Sequence, residues 1–166
     1  MHPDNAKAWV TAIAAELARL DPDNADLYAA NAEAARAEIA AAAREVRDML
    51  APVQGAPMIV LHDAFIYFED AFGVNVVGAI GDSDDTKPGA RRIAEVRALV
   101  DRTTPKCLLA EPGSNTAIVE ALGPAGSALK VARIDLLGAD LNGENATYPN
   151  LLRALGTAIR ECVDAG

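Results

Sequence analysis

MIVLHDAFIYF, residues 58–68, joins a short apolar run to a helix-like segment through His62 and Asp63. A buried strand followed directly by a helix is typical of α/β sheets, and ligands bind such sheets at the carboxyl ends of their strands. His62 stands at such an end, and Asp63 is predicted to cap the helix that follows. A lone histidine is more often structural than functional, so the importance of His62 depends on which residues follow the neighbouring strands.

From residue 57 onward, short apolar runs alternate with helix-like segments. The predicted strands cover residues 58–61, 76–80, 107–110 and 131–134. The predicted helices cover residues 64–72, 88–103, 115–123 and 148–163, and Pro88 suits a first helical turn. Such alternation indicates βαβ units. The fold class is therefore α/β, a four-stranded parallel sheet flanked by helices and preceded by two further helices.

Those two helices occupy the first third of the chain. Apolar residues at helical spacing predict the first of them: Trp9, Ile13, Leu17 and Leu20. The second is alanine-rich and is predicted over residues 24–50, which at ~1.5 Å per residue makes it roughly 40 Å long. It is interpreted either as an ordinary amphipathic helix or as a rigid strut between two lobes.

Composition limits the possible functions. The 166 residues suffice for one domain with an appendage, and the 51% of hydrophobic residues can bury a core. A net charge of −9 and a pI near 4.6 argue against nucleic-acid binding, which needs basic patches. No apolar run approaches the ~20 residues of a membrane span. No signal peptide is visible, and the first residues enter a helix cap at once, so we expect a missing front part.

Polar residues follow three of the predicted strands: His62, Glu111 and Asp135. Because parallel strands end at one edge of the sheet, these side chains are expected to share a rim. An imidazole with carboxylates suits a divalent cation. The same rim would also fit a small enzyme using His62 and Asp135 as acid and base, or a purely structural module. The acidic loop 82–85 lacks the spacing of an EF-hand and is interpreted as a solvated turn.

Two cysteines complete the set of reactive residues. Cys107 begins the third predicted strand, and Cys162 ends the last helix. They are either buried thiols in a reducing compartment or a disulfide in an oxidising one. A final helix that packs on the sheet could bring them together.

In combination, these segments resemble the metal-specific solute-binding proteins of bacterial ABC importers, the zinc and manganese class. Four segments carry the likeness, together with the long helix at 24–50: PDNAKAW at 3–9, HDAFIYF at 62–68, CLLAEP at 107–112 and IDLLGAD at 134–140. The resemblance runs nearly end to end. It departs from the family pattern at Gly113-Ser114, where glutamine and an aromatic residue are usual, and at Leu136, where proline is common.

The resemblance implies a role for each site residue. His62 takes the position of a histidine ligand, Asp135 that of a carboxylate ligand, and Glu111 a position that orients the ligands. Cys107 and Cys162 sit where some zinc-binding members carry a disulfide, so we expect a bridge. Imidazole suits zinc better than manganese, so Zn²⁺ is the expected cargo, with Mn²⁺ or iron as the alternative.

The resemblance also implies an organisation. Residues 1–53 would be connecting helices, including the long inter-lobe helix, and residues 54–166 a C-terminal metal-binding lobe, with the N-terminal lobe missing. The implied protein is a periplasmic carrier and not an enzyme. It would be a monomer whose partner is an ABC permease of the inner membrane.

Overall fold

A computed structural model describes residues 1–81, 89–114, 119 and 122–165. Its helices are α1 (Pro3–Leu20), α2 (Ala25–Leu50), α3 (Ile66–Phe72), α4 (Ala90–Thr103), α5 (Pro124–Ser127) and α6 (Tyr148–Ala165). Its strands are β1 (Pro57–Val60), β2 (Asn75–Ala79), β3 (Cys107–Ala110) and β4 (Lys130–Arg133). Short 3-10 turns cover Pro22–Asn24, Ala51–Val53 and Gly143–Asn145. Pro88, the acidic loop 82–85 and most of the helix predicted over 115–123 lie outside the described residues.

The four strands form one parallel sheet in the order β2-β1-β3-β4. The predicted fold class is therefore confirmed, and the described residues before position 50 contain no strand. The strand β3 has the predicted bounds, whereas β1, β2 and β4 each begin and end one residue earlier. The register pairs Val60 with Leu109 and Ala110 with Arg133, so the carboxyl ends of β1, β3 and β4 lie side by side.

Helices cover both faces of the sheet, because successive strand residues point to opposite sides. Met58 and Val60 lie in a core with residues of α2, α3 and α6, whereas Ile59 and Leu108 lie in a second core with residues of α4. All of these strand residues are fully buried. This arrangement explains why the strands appear in the sequence as continuous apolar runs.

The helix α3 anchors the segment that follows β1. All three phenylalanines of the chain, Phe65, Phe68 and Phe72, are buried there, and the last two rings have their centroids 4.5 Å apart. The residue before α3 is Phe65, whose side chain enters the core. The prediction that Asp63 caps this helix is therefore wrong, because burial of Phe65 sets the start of the helix three residues after Asp63.

The helix α1 packs on α2 and leaves an apolar face exposed. Trp9, Ile13 and Leu20 retain 69%, 59% and 64% of their accessible surface. The second half of α2, including Val46 and Leu50, is buried in the core beside the sheet. None of the helices in the described part of the chain is long and apolar enough to cross a membrane.

A disulfide between Cys107 and Cys162 ties β3 to α6, with a Cα–Cα distance of 5.8 Å. The expected bridge is confirmed. Cys107 begins β3 and is fully buried, so the bridge lies at the amino end of the sheet, opposite the edge that carries His62.

The hydroxyl of Tyr148 is buried without a hydrogen-bond partner among the described residues. Burial raises the pKa of Tyr148 to about 12, because the phenolate would be poorly solvated there. Since the folded pKa lies above the unfolded value of ~10, the stability linked to this group is intact below pH 10 and is lost as the pH rises toward 12.

We therefore expect Tyr148→Phe to match or exceed the wild type in stability at pH 7, by about 1 kcal/mol at most, since it removes an unsatisfied polar group. Between pH 10 and 12 the wild type should lose about 1–2 kcal/mol more than the variant. Urea unfolding at pH 7 and pH 11 measures both effects. If the variant were clearly less stable at pH 7, the hydroxyl would have to be making a useful contact.

Candidate metal centre

His62 lies at the carboxyl edge of the sheet, two residues after β1. The chain bends over residues 61–63. Just before the bend, the Leu61 N–H donates to the Leu109 carbonyl at 3.1 Å, and the Gly81 N–H donates to the Leu61 carbonyl at 2.8 Å. These bonds extend the ladder on both sides of β1 up to the residue before His62, so the backbone that presents the imidazole is fixed by its neighbours.

Glu111 directly follows β3, the strand beside β1, and its side chain meets that of His62. The distance from His62 Nε2 to Glu111 Oε1 is 3.2 Å, and the two side chains are 21% and 22% exposed. Both are thus partly shielded and still reachable from solvent. A charged or metal-bound imidazole would be stabilised by this carboxylate.

Asp135 follows β4 and organises the loop after it. Its Oδ1 accepts hydrogen bonds from the N–H groups of Leu137 at 3.1 Å and Gly138 at 2.8 Å, and its Oδ2 accepts from the Asp140 N–H at 2.7 Å. The Asp140 N–H is the largest of several backbone contacts that hold the pKa of Asp135 below its ordinary value. Asp135 therefore stays ionised, and both of its oxygens are engaged with the loop.

The structure brings the three predicted site residues to one edge, at different distances from one another. Because β3 lies between β1 and β4, two strand spacings of ~4.8 Å separate the backbones near His62 and Asp135 by about 10 Å. Of these three residues, His62 and Glu111 are in direct side-chain contact. Within the described residues, no three His, Cys, Asp or Glu side chains gather closely enough to hold a metal ion. That His62 and Asp135 share one ion stays a prediction.

Arg92, on α4, also reaches this edge, and the sequence analysis did not single it out. Its Nη2 donates to the Ala79 carbonyl at 2.8 Å and its Nε to the Ile80 carbonyl at 3.2 Å. The guanidinium thus satisfies carbonyls where β2 ends. The sequence feature that could have identified Arg92 is its position in the first turn of a helix that follows a strand.

This edge combines an imidazole and two carboxylates, each within two residues of a strand end. Strand ends hold their side chains more firmly than long loops do. Nitrogen and oxygen donors of this kind bind borderline divalent cations such as zinc. The edge therefore carries donors that suit a divalent cation, at the position where α/β sheets usually bind ligands.

Comparison with known families agrees with this interpretation. The sequence profile of a family described as "Zinc-uptake complex component A periplasmic", ZnuA, matches residues 1–162. The chain therefore belongs to this family of zinc-uptake components, which confirms the resemblance seen in the sequence motifs.

Curated relatives carry the same description. The chain is 33% identical over 165 residues to the high-affinity zinc uptake system protein ZnuA of Paracoccus denitrificans, covering 99% of this chain and 51% of the relative. It is 34% identical over 163 residues to the ZnuA of Brucella abortus, covering 98% of this chain and 48% of the relative. The chain thus spans about half the length of these relatives.

Solved structures confirm the fold. A crystal structure of ZnuA superposes with a TM-score of 0.80 at 27% identity, over 97% of this chain and 59% of the other. A ZnuA deletion mutant with zinc bound gives a TM-score of 0.76 at 26% identity, over 97% of this chain and 58% of the other. The α/β arrangement described above is thus that of known ZnuA structures.

Proposed function

We propose that this chain is the metal-binding C-terminal lobe, with connecting helices, of a periplasmic zinc carrier that serves an ABC importer. The carrier would hold Zn²⁺ between two lobes and deliver it to a permease of the inner membrane. The observation that carries the proposal is His62, placed at the carboxyl edge of the sheet in a chain that matches a zinc-uptake family over residues 1–162.

His62 and Asp135 are the proposed ligands of the cargo. The imidazole supplies the nitrogen donor that favours zinc over manganese. Asp135 supplies an anionic oxygen, and its lowered pKa keeps that oxygen free of a proton at neutral pH. The carboxylate of Glu111, beside His62, adds negative charge where the cation would bind.

The proposed division places connecting helices at residues 1–53 and the lobe at residues 54–166. Two observations support a second lobe in the whole protein. The curated relatives are about twice as long as this chain. In addition, the exposed apolar face of α1, centred on Trp9 and Ile13, is of the kind that packs against another part of a protein.

The proposed carrier is a monomer, does not bind nucleic acid and is not an enzyme. An enzyme using His62 and Asp135 as acid and base is the weaker alternative, because the chain matches a family of zinc-uptake components over residues 1–162.

Competition between metals tests the proposal. We expect this chain to bind zinc with a Kd that is micromolar or weaker, since one lobe supplies only part of the site, and to retain zinc over manganese about 100-fold or more. Equilibrium dialysis against an equimolar mixture, followed by elemental analysis, measures the ratio. Preferential retention of manganese would overturn the choice of zinc, and retention of neither metal would overturn the site.

A further inference from the structure

The two sulfurs of the Cys107–Cys162 disulfide lie in unlike surroundings. Cys107 begins β3, which runs between β1 and β4, and its side chain is fully buried. Cys162 lies near the end of α6 and keeps 7% of its accessible surface. Its Sγ is 3.6 Å from the carbonyl oxygen of Lys130, the first residue of β4. Because β4 is an edge strand, Cys162 lies nearer than Cys107 to the boundary of the sheet.

A groove of about 360 Å³ lies beside Cys162. The strand β4 forms one wall and the second half of α6 the other, and Cys162 lines the groove whereas Cys107 does not. Small-molecule sites in proteins begin at a volume of about 300 Å³, so the groove has room for a small thiol.

We propose that Cys162 is the sulfur at which small thiols exchange with this disulfide, and that Cys107 is the leaving sulfur. The inference does not depend on the proposed function. In thiol–disulfide exchange the attacking thiolate has to reach a sulfur of the bridge, and the groove leads to Cys162. Attack on Cys107 would require the sheet to open around β3, whose backbone is paired on both sides.

The exchange consists of two balanced steps. A thiolate attacks Cys162 Sγ and forms a mixed disulfide, while the electron pair of the broken S–S bond leaves on Cys107 Sγ, which takes up a proton from water. A second thiolate attacks the sulfur of the bound thiol, and Cys162 leaves as a thiolate that is protonated in turn. The bridge gains two electrons and two small thiols become one disulfide. In reverse, a small disulfide reacts first with Cys162, and Cys107 then closes the bridge.

The charges around the groove define the chemical class of the thiol. Lys130 and Arg133 are exposed on β4 and line the groove, and Glu161 lines it from α6. The cations outnumber the carboxylate there, although the whole chain has a net charge of −9. Such charges act over a Debye length of about 8–10 Å at moderate salt. The groove therefore favours a thiol that carries negative charge, such as a small thiol peptide with free carboxylates.

The reactivity of each cysteine alone tests the assignment. Cys107→Ala leaves Cys162 as the single thiol, and Cys162→Ala leaves Cys107. Each variant is treated with oxidised glutathione, folded and in urea, and mass spectrometry follows the mixed disulfide. We expect folded Cys107→Ala to react at least about 30-fold faster than folded Cys162→Ala, and the two rates in urea to agree within about 3-fold. Equal rates in the folded variants, or a faster Cys107, would overturn the assignment.

A measurement on the wild type covers the case in which circular dichroism shows that a variant does not fold. Brief alkylation of the reduced wild type with substoichiometric N-ethylmaleimide, followed by peptide mapping, compares the two thiols in one molecule. We expect at least about 10-fold more label on Cys162 than on Cys107. Equal labelling would overturn the assignment by itself.

A substitution of Lys130 on the Cys107→Ala background tests the preference for anionic thiols. Lys130→Gln should slow the reaction with oxidised glutathione about 3-fold and leave the reaction with the uncharged 2-hydroxyethyl disulfide unchanged. Lys106→Gln is the matched control, since Lys106 is exposed just before β3 and is not a lining residue of the groove. Equal slowing with both reagents, or no slowing with either, would overturn the preference for negative charge.

Discussion

Replacement of His62 by alanine should lower the zinc affinity of this chain by a factor of about 100 or more, equivalent to roughly 3 kcal/mol. The imidazole is the sole nitrogen donor of the proposed ligand set, and zinc depends on such a donor more than manganese does. The fold should survive, because His62 lies after β1 at the rim of the sheet and outside both buried cores. Calorimetric titration with zinc, together with circular dichroism of both forms, measures the two effects.

His2 provides the matched control, since it is the other histidine of the chain. Its Nδ1 accepts from the Asp4 N–H at 3.1 Å and so caps α1, and its Nε2 lies 3.5 Å from Asp70 Oδ2. His2→Ala should therefore cost about 1 kcal/mol of stability through the lost cap and leave zinc affinity unchanged. If His2→Ala weakened zinc binding and His62→Ala did not, the metal would bind at the start of α1 and not at the sheet edge.

The sheet and its edge could be predicted from the sequence because buried parallel strands leave a simple signal. Four continuous apolar runs, each bounded by polar or turn residues, predicted four strands with errors of one residue at most. The residues after the first, third and fourth runs then had to share an edge, and this placed His62 beside Glu111. Such positions follow from chain topology and need no knowledge of side-chain packing.

Details that depend on competing contacts could not be predicted in this way. Asp63 precedes a helix and so had the features of a cap, but burial of Phe65 decided where α3 begins. That Asp135 binds a metal stays a prediction, but the sequence did not show that three N–H groups of its own loop also donate to its oxygens. A sequence shows which groups can accept a hydrogen bond. It does not show which donors the fold places next to them.

The exposed face of α1 illustrates a further limit. The spacing of Trp9, Ile13 and Leu20 predicted the helix, and the helix is present. An apolar stripe also predicts that something covers it, but the described residues leave these three side chains largely exposed. Periodicity identifies the face that is to be buried, and only the rest of the protein decides what buries it.

Loss of the Cys107–Cys162 disulfide should lower the free energy of unfolding by about 4 kcal/mol, because the bridge closes a loop with a sequence separation of 55. In the chain-entropy account, the cross-link removes conformations from the unfolded chain, and the effect grows with loop length. Reduction of the wild type isolates this term, because it removes no atoms from the core. The double variant Cys107→Ala/Cys162→Ala should lose somewhat more, since Cys107 is fully buried.

Urea unfolding in the presence of a chelator, with and without reductant, measures the loss of stability, and the double variant should not respond to the reductant. Zinc affinity should stay within about 3-fold of the wild type, because four residues of β3 at ~3.3 Å each separate Cys107 from Glu111 by about 13 Å. If the reduced wild type were as stable as the oxidised form, opening the loop would not increase the conformational entropy of the unfolded chain, and the chain-entropy account would fail here. A large fall in zinc affinity upon reduction would show that the packing of α6 on β3 sets the position of the strand end and, through Glu111, the site.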